Sequence, residues 1–169
     1  MKKLVGIMFA ACLTLCTSVF AEGYFSAEDM EKGTITENVA VEDGFVLNAT
    51  SEKYMNIAKK PVHKASNGEE FTMALQLQGS GKPDYRSVSF PAKAGETITV
   101  WGNSTSKTDT RAIVVTGPDG KAIAELPMDI DGQDGTPASE GSVKVSVDGT
   151  YTIYSKKSGI NIYKINVGK

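Results

Sequence analysis

Cysteine, histidine and helix-forming signals are all scarce in this chain, and each scarcity removes a class of function. The 169 residues include two cysteines, one histidine and one tryptophan. Both cysteines, Cys12 and Cys16, sit in the apolar opening segment, so the remainder carries no thiol and draws its stability from packing rather than disulfides. Zinc and redox centres find no ligand set here, because such sites draw on several cysteines and histidines. The single histidine, His63, lies in Lys60-Pro-Val-His-Lys64 beside no nucleophile motif and reads as a surface residue rather than a catalytic base. No catalytic residue is assigned, and the chain reads as a non-enzyme with no cofactor.

The opening segment has its own grammar. Lys2 and Lys3 precede an apolar run from Leu4 to Leu15, and Ser18-Val19-Phe20-Ala21 supplies small or branched residues where a signal peptidase reads. Residues 1–21 are therefore expected to be a cleaved signal peptide. Gly6, Cys12, Thr14 and Cys16 interrupt the run, which falls short of the roughly 20 residues of a membrane span. A lipobox-like Phe9-Ala10-Ala11-Cys12 is the other reading, but the apolar stretch continues past Cys12. The expected destination is outside the cytoplasm, extracellular or periplasmic.

Residues 22–169 then form a single domain of ordinary size. Without Lys2 and Lys3 the 18 basic residues fall to 16, against 20 acidic ones, a net of −4 with His63 neutral. Nucleic acid is excluded as a partner by that balance, since phosphate binding needs a dominant positive field. An acidic polymer would need a local basic cluster.

The only helix candidate is Ser26-Ala27-Glu28-Asp29-Met30-Glu31-Lys32, a capping-box-like start stopped by Gly33. The rest alternates in strand fashion: Thr34 to Glu37, Phe45 to Ala49, Tyr54 to Ala58, Phe71 to Leu77, Arg86 to Pro91, Thr97 to Trp101, Ala112 to Thr116, Ala122 to Leu126, Val143 to Val147, and a terminal pair. Turn residues separate them at Asp43-Gly44, Asn67-Gly68, Gly79-Ser80-Gly81, Gly95, Gly117-Pro118-Asp119-Gly120 and Asp148-Gly149. Many short strands, each with one apolar and one polar face, predict an all-β antiparallel sandwich of jelly-roll type.

Parity within the strands assigns side chains to faces. Phe71, Met73, Leu75 and Leu77 should face the core, leaving Thr72, Ala74 and Gln76 in water. Ile98 and Val100 should be buried, which puts Trp101 on the wet Thr97/Thr99 face. In the terminal pair Tyr151 and Ile153 share one side, and Thr152 and Tyr154 the other. The last strand changes step, because Ile160 and Ile162 have one parity while Tyr163, Ile165 and Val167 have the opposite, so a bulge is expected near Ile162 or Tyr163.

Few constellations carry chemistry. Arg86, in Asp84-Tyr85-Arg86, and Arg111, in Asp109-Thr110-Arg111, each introduce a strand and lean toward an inner face. They offer planar forks for a ligand's carboxylates, or else they satisfy their neighbouring aspartates or loose carbonyls. Trp101 and Tyr154, with Tyr85 beside them, are candidates for a platform on which the apolar C–H face of a sugar ring stacks. Lys156 and Lys157 add charge at the tip of the last hairpin. Asp129-Ile-Asp-Gly-Gln-Asp-Gly135 has the density of a calcium loop, but its glycine is out of EF-hand register and no bidentate glutamate follows; it reads as a loop, and no metal site is assigned.

Taken in order, Phe71-Thr…Leu75-x-Leu77-x-Gly79-Ser-Gly81, Arg86-Ser-Val-Ser-Phe90, Ile98-Thr-Val100, Arg111-Ala-Ile-Val-Val115 and Tyr154-Ser…Ser158-Gly-Ile-Asn-Ile-Tyr163-x-Ile165-x-Val167 resemble the non-catalytic β-sandwich modules appended to bacterial pectate lyases. Phe25-Ser26, Thr34-Ile-Thr36 and the Gly44 to Ala49 strand fit the start of the same module. The resemblance implies a carbohydrate-binding module for pectin, especially homogalacturonan, whose basic side chains meet galacturonate carboxylates. It carries ligand binding onto Arg86 and Arg111 and onto Lys156 and Lys157. The chain departs from the family on Met73-Ala74-Leu75-Gln76, a strand that is often basic there, and at Trp101, which is often tyrosine.

The expectation is thus a secreted, non-catalytic protein that binds plant cell-wall polysaccharide. The alternative is a structural or adhesive cell-envelope sandwich without a sugar site.

Overall fold

The computed structural model describes residues 23–132 and 135–169, so the expected leader, together with Gln133 and Asp134, lies outside the described residues. Thirteen strands in these residues form two antiparallel sheets. They are β1 (Gly23–Ser26), β2 (Gly33–Ile35), β3 (Val39–Ala40), β4 (Val46–Asn48), β5 (Met55–Lys64), β6 (Glu70–Leu77), β7 (Ser87–Ala92), β8 (Thr97–Ser104), β9 (Arg111–Thr116), β10 (Ala122–Met128), β11 (Ser139–Lys144), β12 (Gly149–Ser155) and β13 (Ile160–Gly168). One sheet runs β11-β8-β13-β6-β5-β2, with β1 also pairing β13; the other runs β10-β9-β12-β7-β4-β3. The all-β antiparallel sandwich expected from the strand pattern is the observed fold.

The expected helix at Ser26 is a single 3-10 turn, Ala27–Asp29, in which Ser26 Oγ accepts from Glu28 N–H. One turn fixes backbone without the bonds that reward propagation, so the segment goes no further. β11 begins at Ser139 rather than Val143, and β5 runs through Pro61 to Lys64 with a register shift between Lys59 and His63.

Between the sheets the parities resolve as the pleat demands. Leu75, Leu77, Val88, Phe90, Ile98, Val100, Ile113, Val115, Tyr151 and Ile153 form the main core, with Phe45 stacked on Phe90 at 4.9 Å between centroids. Burying each such side chain contributes about 1.5–3 kcal/mol. Tyr151 keeps its polar end satisfied by donating to the Val147 carbonyl at 2.7 Å. β13 has its register shift against β8 between Ile162 and Lys164, where the sequence pattern changes step. That bulge lets Ile160, Ile162, Ile165 and Val167 all enter the main core and sends Tyr163 to the other side.

A second, smaller core lies there, on the outer face of the first sheet. It contains Ala65, Phe71, Ala74, Trp101, Ala138 and Tyr163. This overturns three readings. Phe71 is buried away from the main core and stacks on Tyr163 at 5.4 Å. The Glu28 carboxylate accepts from the N–H groups of both Thr72 and Met73, two consecutive donors aimed at one acceptor, which breaks the strict alternation of β6 at that point. Ala74, read as wet, is fully enclosed, whereas Thr72 and Gln76 are half-buried. Trp101, also read as wet, is only 9% exposed.

The cover over this second core is the chain on either side of Pro137. Ala138 N–H donates to the Lys64 carbonyl at 2.8 Å and Gly135 N–H to the Val62 carbonyl at 3.1 Å. His63, read as a surface residue, is completely buried beneath it. Its ring stacks on Tyr163 at 4.9 Å; Nδ1 lies 2.8 Å from the Pro61 carbonyl and Nε2 2.9 Å from Asp131 Oδ1. Asp131 in turn accepts from Asn161 Nδ2 at 3.0 Å and pairs with Lys60 at 3.3 Å. A loop that reads from sequence as a possible calcium loop therefore spends its central carboxylate holding the cover down.

Candidate functional site

The expected terminal hairpin is not formed: β12 pairs with β7 and β9 and β13 with β1, β6 and β8, so residues 156–159 cross from one sheet to the other at one end of the sandwich, and five of the six sequence-predicted residues gather around this crossover. Tyr154 stands on the outer face of the second sheet, in register with Ser87 of β7 on one side and Val114 of β9 on the other. It is half-buried, with a face left to solvent. Lys156 and Lys157 follow at the exposed start of the crossover, and Lys156 N–H donates to the Ala112 carbonyl at 3.0 Å, anchoring it to the neighbouring strand.

Arg86 approaches from the β6–β7 connection. Its backbone has φ 47°, a left-handed conformation uncommon outside glycine, so β7 begins only at Ser87 and Arg86 does not continue the pleat. The expected lean toward the inner face is accordingly absent. The guanidinium turns toward the rim, where Nε donates to the Tyr54 carbonyl at 3.3 Å.

The connection fits tightly because residue 81 is glycine. A Cβ there would stand 2.8 Å from Tyr154 Cβ and collide with the Arg86 carbonyl. Gly81 N–H also donates to the Ser155 carbonyl at 3.0 Å, which locks the loop carrying Arg86 and Tyr85 against the end of β12 that carries Tyr154. Tyr85 is half-buried, with Lys53 Nζ 5.9 Å from its ring centroid. Tyr54, not singled out from the sequence, is 38% exposed at the same rim.

Arg111 lies on the opposite flank. Its Nη1 donates to Thr105 Oγ1 at 2.7 Å and to the Gly159 carbonyl, tying the β8–β9 connection to the end of the crossover that leads into β13. Both arginines thus cap carbonyls, and among the described residues neither forms an ion pair with Asp84 or Asp109. Lys156 differs: its Nζ meets both carboxylate oxygens of Glu125 at 2.7 Å each. Lys157 has no hydrogen-bond or ion-pair partner among the described residues.

Trp101 is the predicted site residue that does not join them. Its indole N–H donates to Glu140 Oε2 at 3.1 Å, and Lys164 Nζ covers the ring at 5.7 Å while holding Glu69 at 2.8 Å. The indole faces protein, and no sugar ring can stack on it in this conformation. Its burial was not readable from parity because the cover comes from segments distant in sequence.

The end of the sandwich therefore presents one half-buried aromatic residue between a serine and a valine of the neighbouring strands, a second aromatic nearby, and cations on both sides. Such a surface can stack an apolar ring face while donating charge-assisted hydrogen bonds at its edges. Among the described residues no three or more His, Cys, Asp or Glu side chains converge as metal ligands, and no helix is long and apolar enough to cross a membrane.

No family model matches the chain, and no curated protein matches it. Solved structures do. One is the CBM36-1 domain of a multidomain xylanase from the hindgut metagenome of Trinervitermes trinervoides, at 14% identity and TM-score 0.45, covering 88% of this chain and 98% of that one. A second is the CBM22-1 xylan-binding domain of Paenibacillus barcinonensis Xyn10C, at 12% identity and TM-score 0.46, covering 86% and 91%. CsCBM6-3 of Clostridium stercorarium, solved with cellobiose, is similar at 12% identity and TM-score 0.42, covering 87% and 93%. All three are carbohydrate-binding modules.

Proposed function

We propose that this protein is a secreted, non-catalytic binding protein for plant cell-wall polysaccharide, with acidic, galacturonan-type chains as its ligand class. The observation that carries the reading is the grouping of Tyr154 with Arg86, Lys156 and Lys157 at one end of the sandwich. A galacturonan alternates a ring whose C–H face suits an aromatic with a carboxylate that suits a guanidinium or ammonium group. Arg86 donates through Nε alone and keeps both Nη groups for such a partner. Arg111, with Nη1 spent on Thr105 and Gly159, acts chiefly by positioning the β12–β13 crossover. Trp101 leaves the site; Tyr85 and Tyr54 take its place as the additional aromatic surface.

The reading requires local charge to outweigh the global net of −2 over the full sequence. Binding should therefore weaken with salt, because exposed charges are screened beyond roughly 10 Å at 0.1 M ionic strength. Native gel electrophoresis through polygalacturonate, methylated pectin, xylan or β-glucan, at low and moderate salt, tests it. Retardation by polygalacturonate that falls with salt and with Arg86→Ala is the expected result. Retardation by xylan or β-glucan alone would retain polysaccharide binding and remove the galacturonan assignment.

One observation favours the second reading, a structural or adhesive envelope protein: the buried Trp101, whose indole would otherwise be the largest stacking surface. Against it, neither arginine is locked to a carboxylate. Unchanged migration in every gel would decide for it.

A further inference from the structure

On the outer face of the second sheet, four residues from four adjacent strands fall into one cross-strand row. Ser87 of β7 pairs with Tyr154 of β12, Tyr154 with Val114 of β9, and Val114 with Glu125 of β10. Directly opposed residues in an antiparallel ladder point to the same side of the sheet. The row is thus a floor with an aromatic ring and a valine at its centre and a carboxylate at its end. Lys156 follows β12 at the edge of this floor, and its ammonium is held by both oxygens of Glu125.

The Glu125–Lys156 pair is half-exposed, at 49% and 56% for the two side chains. An exposed pair of this kind is worth little to folding and exchanges readily. Glu125 nevertheless occupies on Lys156 the position that a uronate carboxylate of a ligand on Tyr154 would take. Two carboxylates cannot both sit within hydrogen-bond distance on the same side of one ammonium without strong mutual repulsion.

We infer that Glu125 is a specificity-determining residue: an internal carboxylate that competes with the ligand's own for Lys156 and so tempers the site's preference for fully ionised galacturonan over esterified or neutral chains. The inference rests on the polysaccharide reading above and adds to it a sense of preference. Specificity set by a repulsive element is as effective as specificity set by an attractive one. Removing the negative charge while keeping the side chain's size releases Lys156 to the ligand and removes the repulsion at once.

The test compares wild type, Glu125→Gln, Lys156→Gln and the double variant in gels of polygalacturonate, highly methylated pectin and xylan at low salt. Glu125→Gln should raise affinity for polygalacturonate about three- to fivefold, the scale of one exposed ion pair. Affinity for methylated pectin and xylan should not move, and the double variant should lose the gain. Wild-type affinity for polygalacturonate in Glu125→Gln, with retardation still abolished by Arg86→Ala, overturns the inference and leaves the proposed function standing. A gain that survives in the double variant also overturns it, since the effect would then be general charge rather than release of Lys156. No retardation of any variant in any gel removes the proposed function and the inference together.

Discussion

His63 and Asp131 meet across 68 residues of chain, Nε2 to Oδ1 at 2.9 Å, with the imidazole wholly enclosed. That contact ties Asp131 down beside Tyr163, on the side where Ala138 joins Trp101, Phe71 and Tyr163 in a second core that a sandwich ordinarily replaces with a polar face shown to solvent. Replacing His63 with alanine removes the ring stacked on Tyr163 and leaves a part-buried carboxylate with fewer partners. A loss of about 2–4 kcal/mol is expected, combining cavity and unpaired-charge costs. Urea denaturation measures it; a loss below 0.5 kcal/mol would mean that the cover is not held by this residue.

Tyr163 gives the opposite sign. Its hydroxyl is buried without a hydrogen-bond partner, a cost to the folded state that phenylalanine would not carry. Tyr163→Phe should be neutral or stabilising at pH 7, by up to about 1 kcal/mol.

The same hydroxyl predicts a pH response. Burial, and secondarily the nearby charge of Asp131, push the Tyr163 phenol well above its ordinary value of 10.0. Above pH 10 the unfolded chain releases this proton while the folded chain retains it. Stability is therefore fully present below the unfolded pKa and declines as pH rises beyond it, by about 1.4 kcal/mol per pH unit at most. Denaturation midpoints at pH 9, 10 and 11 should fall for the wild type and fall less for Tyr163→Phe; parallel curves would contradict the assignment.

Gly81 and Gly33 form a matched pair. A Cβ at Gly81 meets Tyr154 and the Arg86 carbonyl, whereas one at Gly33 meets nothing within 4 Å. Gly81→Ala should cost about 1–3 kcal/mol by overpacking and weaken polysaccharide retention by displacing Arg86. Gly33→Ala should change stability by no more than about 1 kcal/mol and leave retention intact. Equal effects from the two would remove the close-approach argument.

Trp101 is the only tryptophan, so its emission reports the second core alone. The indole should emit as a shielded residue, resist acrylamide quenching, and remain unchanged when polygalacturonate is added. A ligand-dependent shift or quench would return Trp101 to the binding surface.

What was legible in the sequence follows the range of the interactions involved. The bulge in the last strand could be read because the switch from Ile160/Ile162 to Ile165/Val167 is a local parity change that only an extra residue accommodates, whereas the hairpin expected before it is absent, since β12 and β13 pair in different sheets and alternation within a strand does not show its partner. The main core could be read for the same reason. β5 was read too short, since Lys59-Lys60-Pro61-Val62-His63 shows no alternation and its pairing is set by Phe71 and Glu70 across the sheet. Trp101, Phe71, Ala74 and His63 were misplaced because parity assumes that only the inner face of a sheet is dry. Here the outer face is dry too, roofed by residues 65 and 138, and nothing within a strand announces a roof folded over from elsewhere. The site divides likewise: the clustering of Tyr154, Lys156 and Lys157 is a sequence fact, whereas the left-handed Arg86 and the Glu125–Lys156 pair depend on geometry that only the folded chain supplies.

The central claim is that Tyr154 is the stacking floor of a polysaccharide site at the end of the sandwich where β12 crosses to β13. Its most direct test is the polygalacturonate dissociation constant of wild type and Tyr154→Ala, measured by native gel retardation beside the melting temperature of each. The account predicts retarded wild type and a variant that stays folded with about five- to tenfold weaker binding, the loss of one aromatic–sugar contact of roughly 1–1.4 kcal/mol. A folded Tyr154→Ala variant retarded as strongly as wild type would contradict it.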